Sequence, residues 1–476
     1  MPVGGAHDHL DVTQHEFSCR FRQVFFDSLT DELADEPDVA LGEMDVAGGV
    51  AAVAVAFPES GVLFFDVKDP SKPKFLSWYR ATKCETVVID VDCGAYVDLS
   101  KDGTVAFLSL QNISVVPGGA PDPGVRPTSE TGVEVIDVRD PAAPLLTQTY
   151  PVASIGGVHT SQSKIIPEGP TDNGPRAPGE YLFSVANGFG IEVTLVNRPG
   201  GVPGLSPVNR IEMDDVHDMF VHNDRLTKRT YMYVAAGFET GFNVYDVTDP
   251  AQEELVAEWD ITPDCPEDWY SHTIQPVIRK GHRYVTVDAE IFDNGKQSAG
   301  QQCGFIAGNG DKPGPLWIVD ATDFTKLGPA LAQGADDVEA LKASSRRALV
   351  ATWTNPASRP GGNLTFSPHN QQVVGNRIYL SNYHGGIYVL GARAAFRGRN
   401  VRPRELGFVL PHGPDGRPIY ELNPKPASPF FSAFPPSRPR IWDVRYYKGY
   451  VLTADWHGGF YSFQFEGDRR RLQRGR

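Results

Sequence analysis

One decapeptide recurs along the chain, and it restricts the fold more than any other feature. It reads Gly-Val-Leu-Phe-Phe-Asp-Val-Lys-Asp-Pro at 61–70, Gly-Val-Glu-Val-Ile-Asp-Val-Arg-Asp-Pro at 132–141 and Gly-Phe-Asn-Val-Tyr-Asp-Val-Thr-Asp-Pro at 241–250. A decayed copy, Leu-Trp-Ile-Val-Asp-Ala-Thr-Asp, lies at 316–323, and copies without the Asp-Pro ending begin at Gly386 and Gly459. Each is an apolar, β-branched and aromatic run that stops at an Asp-x-x-Asp-Pro turn. Proline cannot donate to a β-ladder, and aspartate caps a turn through nearby backbone amides, so each copy reads as a strand closed by a turn.

Two further strands precede each copy. Around blade six they are Asn370–Val374 and Ile378–Ser381, joined by Gly375-Asn376; in the last unit they are Val444–Tyr447 and Val451–Ala454, joined by Lys448-Gly449. A fourth strand follows the Asp-Pro turn. Units start near residues 43, 94, 157, 215, 270, 367 and 441. Long spacings coincide with Pro/Gly-rich segments at 115–130, 165–180, 197–206, 291–314 and 325–365, which read as loop insertions. Only Asp336–Arg347 has a helical period, and it reads as a surface insertion. The expected fold is all-β, a seven-bladed β-propeller of four-stranded antiparallel blades, because radial stacking buries such apolar strands and leaves only short edges. The expected organisation is an N-terminal extension over 1–42, the propeller over 43–466 and a basic tail over 467–476.

The repeated unit resembles the LVIVD-repeat family of bacterial propeller proteins, over about residues 43 to 465. The resemblance implies the fold and leaves the chemistry open, since that family is defined by its repeat.

A net charge of −15 disfavours nucleic acid and anionic membrane surfaces as main partners. No run of 18 apolar residues exists to span a membrane. Five cysteines fit two arithmetic readings: local disulfides Cys84–Cys93 and Cys265–Cys303 with Cys19 left over, or five reduced thiols. The first implies an exported protein, and periplasmic or secreted placement is slightly favoured over cytoplasmic.

Chemistry is suggested by histidines. Aligned on their turns, the four central units carry one each at the start of the innermost strand: His159, His217, His272 and His369. The first two units lack it, and Trp442-Asp443 stands in its place in the seventh. A purely structural consensus would spread evenly round the ring, so clustering in four adjacent blades points to a site on the axis. Neutral imidazole suits Fe or Cu first, with Zn or Mn as further options. A second register, at the end of the second strand, gives Glu290, His384 and His457 at the same mouth; with Asp218 they are candidate acid, base or orienting groups. Trp269, Tyr270, Tyr383 and Trp456 are candidate substrate contacts in an axial funnel.

A propeller ring of four axial histidines is similar to that of the iron-dependent carotenoid-cleaving oxygenases, and to that of the copper-binding selenium-binding, methanethiol-oxidase type. The resemblance implies an iron or copper site on the axis without choosing a substrate. Since an all-histidine neutral site suits Fe(II) or Cu, the expected function is a metalloenzyme carrying out redox or oxygen chemistry on a small organic molecule. Metal-assisted hydrolysis, lyase or isomerase chemistry is the alternative. The competing class is a non-catalytic exported binding propeller whose histidines tie blades together.

Overall fold

A computed structural model describes residues 20–29, 31–34, 40–57, 60–82, 93–112, 131–152, 154, 156–167, 178–186, 188–213, 215–237, 241–260, 270–290, 314–327, 346–356, 367–383, 385–410, 440–456 and 459–467. These residues form seven four-stranded antiparallel sheets. The first strands of the blades are Ala40–Ala47, Cys93–Leu99, Val158–Ile166, Asp218–Asn223, Tyr270–Arg279, Gln371–Val374 and Ile441–Tyr447. Each touches the first strand of the next blade, and the seventh touches the first, so the sheets close into a ring around an axis lined by these strands. This is a seven-bladed β-propeller. The helical-period stretch Asp336–Arg347 lies outside the described residues except for its last two.

The decapeptides are the third strands. Each turn is a pair of successive aspartate caps: Asp66 Oδ1 accepts from Lys68 N and Asp69 Oδ1 from Ser71 N, at 2.8 and 3.0 Å. Asp137 and Asp140, Asp246 and Asp249, and Asp320 and Asp323 repeat the arrangement. The leading glycine is needed for close approach. At Gly241, φ is +114° and a Cβ would stand 1.9 Å from the Trp259 carbonyl oxygen on the fourth strand.

Between blades, apolar faces interlock; Trp259 and Trp317, for instance, meet edge-on at 6.1 Å in the core shared by blades four and five. Near the axis, polar side chains lace neighbouring first strands. Asp45 accepts from Leu99 N (3.0 Å), Asp98 from Ser163 N (2.8 Å), Gln162 from Val221 N (2.6 Å), Gln275 from Val373 N (2.6 Å) and Gln372 from Tyr446 N (2.5 Å). Each acceptor sits three residues beyond the histidine position or its equivalent. Blade four carries Phe220 there and blade seven Arg445.

Closure of the ring differs from the sequence expectation. Phe21–Asp27, read as part of an N-terminal extension, is the outer strand of blade seven, pairing antiparallel with Phe460–Phe465. The last unit has only three strands of its own. Its exposed third strand therefore takes a partner from the far end of the chain, which removes an edge.

Candidate metal centre

In the four histidine-bearing blades, the start of the first strand is bulged or not yet in the ladder. Register shifts fall between Val158 and Ser161, and between Ser271 and Ile274. His217 and His369 sit just ahead of their strands, their amides donating to Ala235 O and Ser381 O at 3.1 Å. Such irregularity releases the side chain from strict strand alternation and turns it towards the axis. The four imidazoles follow one another as an arc, with centroids 4.3 Å apart for His159–His217, 4.0 Å for His217–His272 and 4.2 Å for His272–His369. Trp442, at the equivalent place in blade seven, continues the arc 4.0 Å from His369. The structure thus brings all four predicted histidines together.

Hydrogen bonds fix three of the rings. His217 Nδ1 donates to the His272 carbonyl at 3.2 Å, and His369 Nδ1 to the Trp442 carbonyl at 2.7 Å, in each case one blade onward. His159 Nδ1 donates instead to Gln111 Oε1 at 2.8 Å. With Nδ1 carrying the proton, each Nε2 keeps its lone pair. His272 Nδ1 has no hydrogen-bond partner and lies 3.9 Å from Asp288 Oδ1. Its Nε2 faces Glu290 Oε2 at 3.3 Å, and Glu290 Oε1 is 4.0 Å from His369 Nε2. Donor atoms of His217, His272 and Glu290 all lie within 4.8 Å of one another.

Burial sets the electrostatics. All four histidines are buried. Desolvation pulls His217 down to about 3 and holds His159, His272 and His369 well below the ordinary value, the neighbouring rings adding to the effect. They are neutral donors at neutral pH. Burial pushes the Glu290 carboxyl up to about 8, against the Tyr383 hydroxyl, which donates to it, and the nearby Arg440. Arg440 packs over Tyr383, Trp442 and Trp456, 4.8 to 5.2 Å from their ring centroids.

The donor set fits a metal. Two or three neutral imidazoles and a carboxylate are a transition-metal combination. Two ligands on one ion are separated by about 3.0–3.4 Å at ordinary bond lengths and angles, close to the His272–Glu290 spacing. Two buried ring nitrogens of the arc, His272 Nδ1 and Trp442 Nε1, lack a hydrogen bond of ordinary geometry, although the His369 carbonyl one blade onward still acts on the His272 ring.

Other candidates fall elsewhere. Asp218 lines a cavity of about 200 Å³ on the axis, with Glu43, Asp45, Asp98, Asn370 and Arg445. Tyr383 and Trp456 are buried against Trp442, and Tyr270 lies 5.0 Å from His217, so the described aromatics wall in the histidine arc. His384, His457 and Trp269 lie outside the described residues, as do Cys84, Cys265 and Cys303. Gln111 and Arg440 were not anticipated. Gln111 ends a second strand much as Glu290 does, so the register held the signal, but glutamine is neither titratable nor a common ligand.

No protein-family model and no curated protein matches the chain. Among solved structures, the chain is similar to Sqt1 of Saccharomyces cerevisiae at 10% identity and a TM-score of 0.46, covering 90% of this chain and 96% of that one. It is similar to BamB of Moraxella catarrhalis at 8% identity and 0.41, covering 94% and 98%, and to the computationally designed protein Ika8 at 7% and 0.40, covering 90% and 96%. At this distance the propeller assignment rests on the sheet topology itself.

Proposed function

We propose that the chain is a metal-dependent enzyme whose ion is held by His217, His272 and Glu290, with His159 and His369 beside it, and that it carries out redox or oxygen chemistry on a small organic substrate. One observation carries the reading: neutral imidazole donors and a carboxylate converge on the propeller axis, with two of the rings locked by Nδ1 hydrogen bonds that leave Nε2 free. Two histidines and one carboxylate form the donor set of non-haem iron(II) sites, which places iron ahead of copper, zinc and manganese. Bound there, such an ion would supply an open coordination position for activating oxygen or substrate. The chain's own residues supply the rest. Tyr383 holds Glu290 Oε1, the aromatic wall of Tyr270, Trp442 and Trp456 keeps bulk water away, and Arg440 offsets the carboxylate's charge. The resemblance of the histidine ring to iron and copper propeller enzymes supports the same reading, whereas that of the decapeptides to LVIVD-repeat propellers bears on the fold alone.

Elemental analysis by plasma mass spectrometry tests it, on tag-free protein beside the His217→Ala/His272→Ala double variant. About one iron or other transition ion per chain, lost in the variant, is expected. No metal in either protein after reconstitution would overturn it and favour a binding propeller. That second reading has its own support, because His217 and His369 each hydrogen-bond the next blade. On it, His217→Ala lowers the melting temperature in metal-free protein; on ours, it lowers metal content with little loss of fold.

A further inference from the structure

Beyond the histidine arc, the axis holds a second layer of different chemistry. Its cavity of about 200 Å³ is lined from the first strands of all seven blades. Four carboxylates face it, from Glu43, Asp45, Asp98 and Asp218, against the single cation Arg445. Two of the four are accounted for. Asp98 is spent on the Ser163 amide, and Asp45 lies 3.9 Å from Arg445, whose guanidinium also bonds Asp443 at 3.0 Å. Glu43 and Asp218 face the cavity with neutral donors. Glu43 accepts from Asn370 Nδ2 at 3.1 Å, and Asp218 from the Met219 amide at 2.7 Å.

A separate observation points to a missing ligand. Asn370 is 3% exposed and lines the cavity, yet its Oδ1 has no hydrogen-bond partner. An acceptor buried in that way costs free energy unless something donates to it or is coordinated by it. The amide nitrogen of the same side chain is already committed to Glu43, and Glu43 in turn feels the charge of Asp218 on the same cavity.

We propose that this cavity is a binding site for a hard divalent cation of the calcium type, held by Glu43, Asp218 and Asn370 Oδ1 with water completing its shell. All the offered donors are oxygens, which suits calcium rather than the softer ions that imidazole prefers. The cavity has room for water beside an ion, and calcium accepts irregular shells of six to eight oxygens, some from water. Burial, with the like charges of Asp443 and Asp218, holds Glu43 up to about 8 even with Arg445 nearby. The site is independent of the metalloenzyme reading and differs from it in donor type and layer.

Calcium chloride titrated into chelator-treated protein tests the proposal, by calorimetry and by thermal unfolding with and without the ion. Wild type and His217→Ala/His272→Ala are expected to bind about one calcium per chain and to melt at higher temperature with it. Glu43→Gln/Asp218→Asn is expected to bind at least about tenfold more weakly. Metal-free, that variant should melt no lower than wild type, because it removes repulsion between buried charges. Asn370→Leu, which keeps both carboxylates, should weaken binding as well and serves if the double variant does not fold. The proposal is overturned if wild type binds no calcium, or if binding survives both sets of cavity substitutions, which would place the ion on surface carboxylates. It is also overturned if binding is lost in the histidine variant and kept in the cavity variants.

Discussion

Tyr383 sits at φ +37°, a conformation uncommon outside glycine. Its ring is buried, its hydroxyl donates to Glu290 and its carbonyl accepts from the Ile441 amide. In chelator-treated protein, Tyr383→Phe leaves a buried carboxyl oxygen without its donor and is expected to cost about 1–3 kcal/mol in urea unfolding; an unchanged midpoint would mean Glu290 has another donor. A fifth histidine, away from the arc, makes the acid limb testable. Burial, with Lys164 and nearby arginines, pulls His222 down to about 4, whereas in the unfolded chain it titrates near 6.5. The folded state therefore keeps it neutral while the unfolded state takes up a proton. Its contribution to stability is whole above pH 6.5 and is lost as pH falls towards 4. His222→Gln should narrow the gap between denaturation midpoints at pH 7.5 and pH 5, and an equal gap would remove His222 from the acid response. At this scale the arc was legible because one residue type recurred at one register. Arg440 and Asn370 were not, since their importance lies in what surrounds them and nothing about an isolated arginine or asparagine announces that.

The third strands show how little sequence is needed to specify an element when backbone and side chain agree. Paired aspartate caps stop the third strands of blades one, two, four and five, and the leading glycine lets the fourth strand close in. Gly241→Ala places a methyl group against a carbonyl oxygen and is expected to cost about 3 kcal/mol or more. Gly281 also has a positive φ, but nothing stands within 4 Å of a Cβ there. Its alanine variant should cost only about 1–2 kcal/mol, from the left-handed backbone alone. Similar losses at the two sites in chemical denaturation would refute the close-packing argument. Strand order, turns and blade starts were readable from this repeat. The lacing of first strands by Asp45, Asp98, Gln162, Gln275 and Gln372 was not, because their common register is filled by two residue types and interrupted by Phe220 and Arg445.

As a whole, the molecule is a ring whose joint is Phe21–Asp27 against Phe460–Phe465, reinforced by Arg22 donating to Gln464 Oε1 at 2.8 Å. Truncation up to residue 28 should leave blade seven with an open edge, lower the melting temperature and promote association visible by size-exclusion chromatography; a monomer of unchanged stability would show that the joint is dispensable. The sequence made seven units countable but hid the joint: Val24-Phe25-Phe26-Asp27 echoes Leu63-Phe64-Phe65-Asp66, yet it precedes the first unit and lacks the Asp-Pro ending. The joint also bears on how the protein is made. Arg22 and Gln464 are separated by 442 positions, and synthesis at about 5–20 residues per second puts roughly 20 to 90 s between them. Through that interval Phe21–Asp27 has been made while the strand it pairs with has not. The ring therefore closes late, only after both strands of the joint have left the ribosome.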